Sequence, residues 1–96
     1  MIVSFGDRAT EDLFHRRETR RVRRFSSQLI RIALPKLDMI NMAHHLDDLR
    51  SPPANRLKAL QGNLKGSYSV RVNDQWRIVF RWSAGSAQDV SLTDYH

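Results

Sequence analysis

The chain has 96 residues, 41% hydrophobic and 27% charged, which is typical of one folded domain and too short for a separate cofactor-binding domain. Sixteen Lys and Arg residues against ten Asp and Glu residues give a net charge of +6, and this excess favours an anionic partner. The absence of cysteine excludes disulfides, thiol nucleophiles and cysteine-bound zinc. No apolar run has the length of a signal peptide or membrane span, so we expect a cytoplasmic protein with no membrane partner.

The N-terminal half of the chain has helical periodicity. Residues 2–5 predict a short β-like opening, and Gly6–Asp7 predicts a turn that caps a helix. Apolar residues recur at helical spacing over residues 8–17, which predicts a short amphipathic helix. Ser26–Ser27 caps a second, longer helix with one apolar stripe, and Pro35 within that stripe predicts a kink or a brief break.

An arginine-rich segment separates the two predicted helices. Residues 15–24 contain six arginines and a single acidic residue. Like charges at this density disfavour packing, because each guanidinium repels its neighbours. The segment is therefore predicted to be a loop or the solvated end of a helix.

The C-terminal half of the chain has the alternation of β-strands. Residues 56–60 predict a short strand, residues 68–72 and 76–82 alternate apolar and polar side chains, and residues 89–95 predict a last strand. Helices followed by strands indicate the α+β class. We therefore expect a compact antiparallel (mixed) sheet with two N-terminal helices packed on one of its faces.

The connection between the second and third strands selects the register of the hairpin. A three-residue loop at residues 73–75 pairs Val70 with Ile78 and keeps the apolar side chains on one face. A two-residue loop would pair Val70 with Arg77 and break that pattern. The selected register sets Arg71 directly opposite Arg77 on the open face of the sheet.

Two facing arginines, with Arg81 farther along the same face, indicate an anion-binding surface. Like charges in a direct cross-strand pair are destabilising, and an anion between Arg71 and Arg77 would relieve the repulsion. The alternative is that both side chains simply extend into water. Since the sequence has no Gly-rich phosphate loop, a polyanion lying across the sheet fits better than a nucleotide in a pocket.

The chain ends in Asp94, Tyr95 and His96, directly after the last predicted strand. Histidine suits general acid–base chemistry at neutral pH, tyrosine stacks on a base or passes a proton, and aspartate orients an imidazole. The pair His44–His45 is a weaker candidate, because adjacent residues point to different sides of a helix and do not form a two-His metal face. We therefore expect no metal and no cofactor.

Three segments of the chain carry a resemblance to a known family. They are RSPPANRL at residues 50–57, continued by Leu60 and Gly62, then SVRVNDQWRIVF at residues 69–80, and the terminal residues 94–96. Together they resemble the HigB family, the "plasmid maintenance system killer" toxins of the RelE/ParE superfamily. The resemblance covers essentially the whole chain. It implies a RelE-like fold and a type II toxin, a metal-free endoribonuclease that cuts mRNA in the A site of the 70S ribosome. It also implies a helix-turn-helix, HigA-like antitoxin, and operator DNA bound by the toxin–antitoxin complex.

The resemblance also implies the roles of individual residues. Asp94, Tyr95, His96 and Arg77 match the family residues tied to cleavage, whereas Lys58 stands where some members have a histidine. The 2′-OH of an A-site nucleotide would attack the adjacent phosphate. His96 would be the acid or base at one oxygen, with Lys58 or another group at the other. Asp94 would orient His96 or the substrate, and Tyr95 would stack on or orient the base.

The remaining cations are expected to bind RNA. Arg71, Arg81 and Arg56 are the expected phosphate-binding residues, and residues 15–24 are expected to contact ribosomal RNA or the antitoxin unless they are simply solvated. Two other functions remain open, a non-enzymatic ParE-like inhibitor of DNA gyrase and a plain basic nucleic-acid-binding module. The terminal Asp-Tyr-His favours cleavage over both, because a binding module has no need of it.

Overall fold

A four-stranded antiparallel sheet forms the C-terminal half of the chain, with the strands adjacent in chain order. The computed structural model describes residues 1–94. The strands are β1 Lys58–Ala59, β2 Ser67–Arg71, β3 Trp76–Ser83 and β4 Ser86–Asp94. The predicted strand at residues 56–60 is therefore reduced to two residues, and the last strand begins three residues earlier than predicted.

Three helices, rather than the two predicted, precede the sheet. They are α1 Arg8–Phe14, α2 Arg20–Arg23 and α3 Ser27–Met42, and single-turn 3₁₀ helices follow at Leu46–Arg50, Pro53–Asn55 and Gly62–Leu64. The side chains of Asp7, Thr19 and Ser26 each accept a hydrogen bond from a first-turn N–H, which explains where the α-helices begin. α1 ends three residues earlier than predicted, before Arg16 takes a left-handed backbone conformation with φ 57°.

The segment at residues 15–24 is more ordered than the loop or solvated helix end predicted from its charge. It contains α2, a single turn whose Val22 is buried in the core while its arginines stay exposed. The inward-facing Val22 packs in the core, and α1 lies beside α2. These contacts hold the turn in place while its charged residues face outward.

The sequence predicted a kink or a brief break at Pro35, and the break is wrong, because α3 is helical without interruption from Ser27 to Met42. Pro35 lies on the exposed side of the helix. The opposite side buries an apolar stripe on both sides of the proline, and this packing offsets the backbone hydrogen bond that proline cannot donate. The stripe consists of Leu29, Ala33, Leu37 and Ile40.

The register predicted for the β2–β3 hairpin is confirmed. Val70 lies opposite Ile78, and Arg71 lies opposite Arg77. The loop is closed by Asn73, whose Oδ1 accepts hydrogen bonds from the backbone N–H of Gln75 and Trp76 at 2.9 and 2.8 Å. The side chain of Asn73 thus accepts the hydrogen bonds that these two N–H groups do not donate to a neighbouring strand.

The N-terminal residues extend the sheet beyond β4 and give it the mixed character that was predicted. Ile2 and Phe5 form parallel bridges to β4. β4 carries one extra residue here relative to β3, and Asp89 has a left-handed φ of 53°. Gly6 passes so close that a Cβ would lie 3.1 Å from the carbonyl oxygen of Asp89, a tight contact that a larger residue would relieve only by a small shift of the backbone.

The two faces of the sheet differ in character, as the alternation predicted. One face packs against α1 and α3 through apolar side chains, and the opposite face carries serine, threonine and arginine. Within residues 1–94, no helix has both the length and the apolar character needed to cross a membrane. The buried apolar side chains of the sheet are Val70, Val72, Ile78, Phe80, Ala87, Val90 and Leu92.

Candidate active site

The polar face of the sheet collects the predicted site residues in two neighbouring rows. In one row, Lys58 of β1 lies opposite Ser69 of β2. In the next row, Arg71 lies opposite Arg77, which itself lies opposite Thr93 of β4. Because directly paired residues of neighbouring strands project from the same face, the sheet brings Lys58, Arg71 and Arg77 to one surface.

Arg77 is held at this surface by two hydrogen bonds to neutral groups. Its Nε donates to the Oγ of Ser69 at 2.8 Å, and a terminal nitrogen donates to the backbone oxygen of Arg56 at 2.9 Å. Ser69 is completely buried, and Arg56 has a left-handed backbone with φ 44° and ψ 54°. These contacts fix the direction of the guanidinium and add no negative charge to it.

The partner of Arg71 is a carboxylate in the hairpin loop. Its guanidinium forms an ion pair with Asp74, three residues along the chain, and the Asp74 side chain is fully exposed. The repulsion expected between Arg71 and Arg77 is thus reduced within the protein itself, because Asp74 supplies a negative charge beside Arg71.

Asp94 lies at the end of β4, next to the β2–β3 loop. It is paired with Trp76, and its Oδ2 accepts a hydrogen bond from the Nε2 of Gln75 at 3.1 Å. It is one residue beyond Thr93, which lies opposite Arg77, and its pairing with the core-packed Trp76 assigns it to the opposite face of the sheet. Tyr95 and His96, the two other residues expected to act in cleavage, lie outside the described residues.

Arg56 and Arg81 occupy different positions relative to this cluster. The exposed Arg56 is beside Arg77, because its own carbonyl accepts the Arg77 hydrogen bond. Arg81 is also exposed and lies opposite Ser67, four residues from Arg77 along β3. At the usual rise of a strand this is about 13 Å. The structure therefore brings the backbone of Arg56 to the site and places Arg81 at its periphery.

A buried polar pair behind the site was not expected from the sequence. The Nζ of Lys36 on α3 donates to the Oδ1 of Asn55 at 2.6 Å, and the Nδ2 of the fully buried Asn55 donates to the backbone oxygens of Leu49 and Ser51. Burial, and then the positive charge of Arg71, lower the pKa of Lys36. Asn55 lies in the RSPPANRL segment, but no sequence pattern connects it with Lys36, so only the fold reveals the pair.

The histidine pair lies just after α3, where both side chains are exposed as predicted. The backbone N–H groups of His44 and His45 each donate to the Oδ2 of Asp48 at 3.1 Å, and these bonds lower the pKa of the Asp48 carboxyl. Across residues 1–94, no three His, Asp or Glu side chains are grouped so that they could hold a metal ion.

Part of the arginine-rich segment at residues 15–24 is anchored to the carboxylate of Asp12 on α1. Arg17 and Arg21 form ion pairs with the buried Asp12 at 3.4 and 3.3 Å, and the Oγ1 of Thr19 donates to the same carboxylate at 2.9 Å. The Thr19 hydrogen bond, followed by those from the two arginines, lowers the pKa of Asp12 against the opposing effect of burial. Arg16 pairs separately with Asp38 on α3.

Comparison with known proteins identifies the family. A family described as "RelE-like toxin of type II toxin-antitoxin system HigB" matches residues 3–96. The chain is 37% identical over 92 residues to "Toxin HigB-1" of Vibrio cholerae, and the match covers 96% of this chain and 95% of that protein.

Solved structures support the same fold at low sequence identity. The YoeB–YefM complex from Staphylococcus aureus contains a chain with a TM-score of 0.63 and 20% identity, matched over 100% of this chain and 98% of that one. The YoeB/ParE toxin from Agrobacterium tumefaciens gives a TM-score of 0.60 at 13% identity over the full length of both chains. The chain has the RelE-like fold and belongs to the HigB family of toxins of type II toxin–antitoxin systems.

Proposed function

We propose that this toxin is a metal-independent endoribonuclease that cleaves mRNA in the A site of the ribosome. The observation that carries the proposal is the grouping of Lys58, Arg71 and Arg77 on the polar face of the sheet, beside the end of β4. β4 ends at Asp94, one residue beyond Thr93, which lies opposite Arg77.

The proposed reaction is an internal transfer of the phosphodiester. The 2′-OH of one nucleotide attacks the adjacent phosphorus and loses its proton to a base, while the bond to the 5′-oxygen breaks and that oxygen gains a proton. The products are a 2′,3′-cyclic phosphate and a 5′-OH end, so no water or redox partner is consumed. His96 acts as acid or base at one oxygen, and Lys58 serves the other.

The arginines stabilise the negative charge that develops on the phosphate during this transfer. Arg77 is the principal group, because the protein itself fixes the direction of its guanidinium. Arg71 and Arg56 bind the same or neighbouring phosphates, and an incoming phosphate replaces Asp74 as the partner of Arg71. Arg81, about 13 Å away along β3, contacts the mRNA backbone rather than the reacting phosphate.

The proposed partners follow from the family and from the charge of the chain. A HigA-like, helix-turn-helix antitoxin neutralises the toxin, and the two proteins together bind operator DNA. Support comes from the family description, which places its members in toxin–antitoxin systems, and from the related S. aureus fold, solved as a complex of YoeB with YefM. Ribosomes and mRNA place the activity in the cytoplasm.

Cell-free translation tests this function directly. Purified toxin is added to a translating system, and primer extension maps mRNA ends in reactions with the full chain and with a variant lacking His96. We expect cuts at A-site codons with the full chain and a loss of about 10²–10⁴-fold with the variant, the usual contribution of general acid–base catalysis. The variant should still bind the antitoxin, because only the last residue is removed.

Two outcomes would contradict the proposal. Cleavage unchanged by the loss of His96 would remove that residue from the mechanism. An intact mRNA combined with inhibition of gyrase supercoiling by the same preparation would instead favour the ParE-like alternative.

A further inference from the structure

We propose that Ser69 and the turn at Pro53–Arg56 are positioning elements for Arg77. They would hold its guanidinium toward the reacting phosphate without touching the substrate themselves. The inference rests on the proposed function, because it assigns these groups to the residue that stabilises the cleaved phosphate. It assigns a role to Ser69 of β2 and to the 3₁₀ turn that precedes Arg56.

Ser69 provides one of the two contacts that define this geometry. Its side chain is fully buried on the polar face of β2, where its Oγ accepts the Nε–H of Arg77 at 2.8 Å. Ser67, two residues earlier on the same face, is also buried but lies opposite Arg81. The strand therefore offers two serines in similar surroundings, of which Ser69 is the one bonded to Arg77.

The second contact comes from the backbone of Arg56. This residue follows the 3₁₀ turn Pro53–Asn55 and takes a left-handed conformation, in which its carbonyl oxygen accepts a hydrogen bond from Arg77 at 2.9 Å. A residue with a side chain rarely adopts this conformation unless the surrounding structure imposes it.

The turn itself is fixed from the opposite side. Asn55 is fully buried, accepts a hydrogen bond from Lys36 of α3, and donates to the backbone oxygens of Leu49 and Ser51. A continuous series of contacts thus runs from α3 through Asn55 and Arg56 to Arg77. An arginine oriented before the substrate arrives stabilises the transition state better than one that must be ordered during the reaction.

The first test compares Ser69→Ala with Ser67→Ala in the cleavage assay. Both variants remove one buried hydroxyl from the same face of β2, but only Ser69→Ala removes a hydrogen-bond acceptor of Arg77. We expect kcat to fall about tenfold in Ser69→Ala with an unchanged KM for ribosomes, and to stay within twofold of the wild type in Ser67→Ala. Equal kcat values in the two variants would overturn the proposal.

A double variant separates positioning from a general loss of structure. In an Arg77→Ala background, Ser69→Ala should cause no further loss of kcat, because the side chain it orients is already absent. Independent, multiplying losses would show that Ser69 acts by another route and would overturn its assignment to Arg77.

Two substitutions at Arg56 isolate the role of its backbone. Arg56→Gly and Arg56→Val both remove the cation, but only valine disfavours the left-handed conformation that presents the carbonyl. We expect kcat to be several-fold lower in Arg56→Val than in Arg56→Gly. A kcat that is the same in both variants would exclude the carbonyl as a positioning group.

An NMR measurement tests the geometry without depending on activity. The Nε–H of Arg77, assigned by its disappearance in Arg77→Lys, should exchange slowly with water in the wild type and in Ser67→Ala but rapidly in Ser69→Ala. If the wild-type protein does not cleave mRNA, the proposed function fails while this measurement still tests the hydrogen bond. Exchange that is equally fast in all of these proteins would overturn the positioning proposal itself.

Discussion

The arginine-rich segment at residues 15–24 and the arginine of the sheet face, Arg77, use the same side chain in two different environments. In the segment, Arg17 and Arg21 converge on the buried carboxylate of Asp12. On the sheet, a serine hydroxyl and a backbone carbonyl hold Arg77. The amino-acid composition does not distinguish these arginines, because each contributes one positive charge.

The difference between the two regions lies in what each contact does. A carboxylate attracts an exposed guanidinium but also neutralises it, so Asp12 ties α2 to α1 at the cost of positive charge. The contacts of Arg77 with Ser69 and Arg56 orient its guanidinium on the polar face of the sheet. We infer that the segment is built mainly for local structure and surface charge, whereas these two contacts of Arg77 fix the direction of one side chain.

Substitution of Arg77 should have the largest effect. Arg77→Ala should reduce cleavage on ribosomes by roughly 10²-fold or more, since a donor aimed at transition-state charge contributes about 3–4 kcal/mol. It should also cost about 1 kcal/mol of the free energy of unfolding, because the buried hydroxyl of Ser69 loses its partner. Kinetics of mRNA cleavage and urea unfolding measure the two quantities.

Two further variants sharpen this result. Arg77→Lys should restore only part of the activity, because an ammonium keeps the charge but lacks the planar fork that contacts Ser69 and Arg56 together. Arg81→Ala, on the same strand and face, should affect ribosome affinity more than kcat. A larger loss of kcat in Arg81→Ala than in Arg77→Ala would reverse the assignment of these two arginines.

Neutralising the arginine-rich segment should have an intermediate effect. Replacing Arg20, Arg21, Arg23 and Arg24 with glutamine should weaken ribosome binding most at low salt. The slope of log affinity against log salt should fall by about one for each phosphate that the variant no longer neutralises. The rate of cleavage by bound toxin should not change. Binding measured over a salt series checks the affinity and its slope, and single-turnover cleavage checks the rate.

The same quadruple variant distinguishes the partners of the segment. A loss of antitoxin affinity with unchanged ribosome binding would assign the segment to the antitoxin. Unchanged binding to both partners would mean that the arginines form a solvated surface held by Asp12 and have no partner.

Removing the carboxylate of Asp12 should have the smallest effect on activity. It should also change how the stability of the fold depends on pH. The pKa of Asp12 is lowered in the folded protein, so its carboxylate stabilises the fold fully above the ordinary value of 3.8, and this contribution is lost as the pH falls through the lower, folded pKa. Asp12→Asn should therefore melt at a lower temperature than the wild type at pH 7.

The difference between the two melting temperatures should shrink as the pH is lowered below 4, because the wild-type carboxyl then also becomes neutral. Thermal melts recorded between pH 7 and pH 2.5 provide the measurement. A difference that is the same at every pH would show that the loss comes from packing rather than from the charge of Asp12. Cleavage by the variant should match that of the wild type, since Asp12 contacts α2 and not the sheet face.

The sequence by itself determined the features that depend on residues close together in the chain. The β2–β3 register followed from alternation on both sides of a three-residue loop, and Asn73 closes that loop through the backbone of residues two and three positions ahead. The caps at Asp7 and Ser26 were also predicted, because a helix start is fixed within one turn. The family could be inferred from motifs spread over the whole chain.

Only the tertiary structure decided which polar groups meet. Arg77 and the carbonyl of Arg56 are 21 residues apart, and Lys36 and Asn55 are 19 apart. No periodicity or turn signal connects such positions, since their distance depends on how α3, the 53–56 turn and the sheet pack together. The continuity of α3 through Pro35 has the same origin, because the buried stripe on both sides of the proline outweighs its local preference to end a helix.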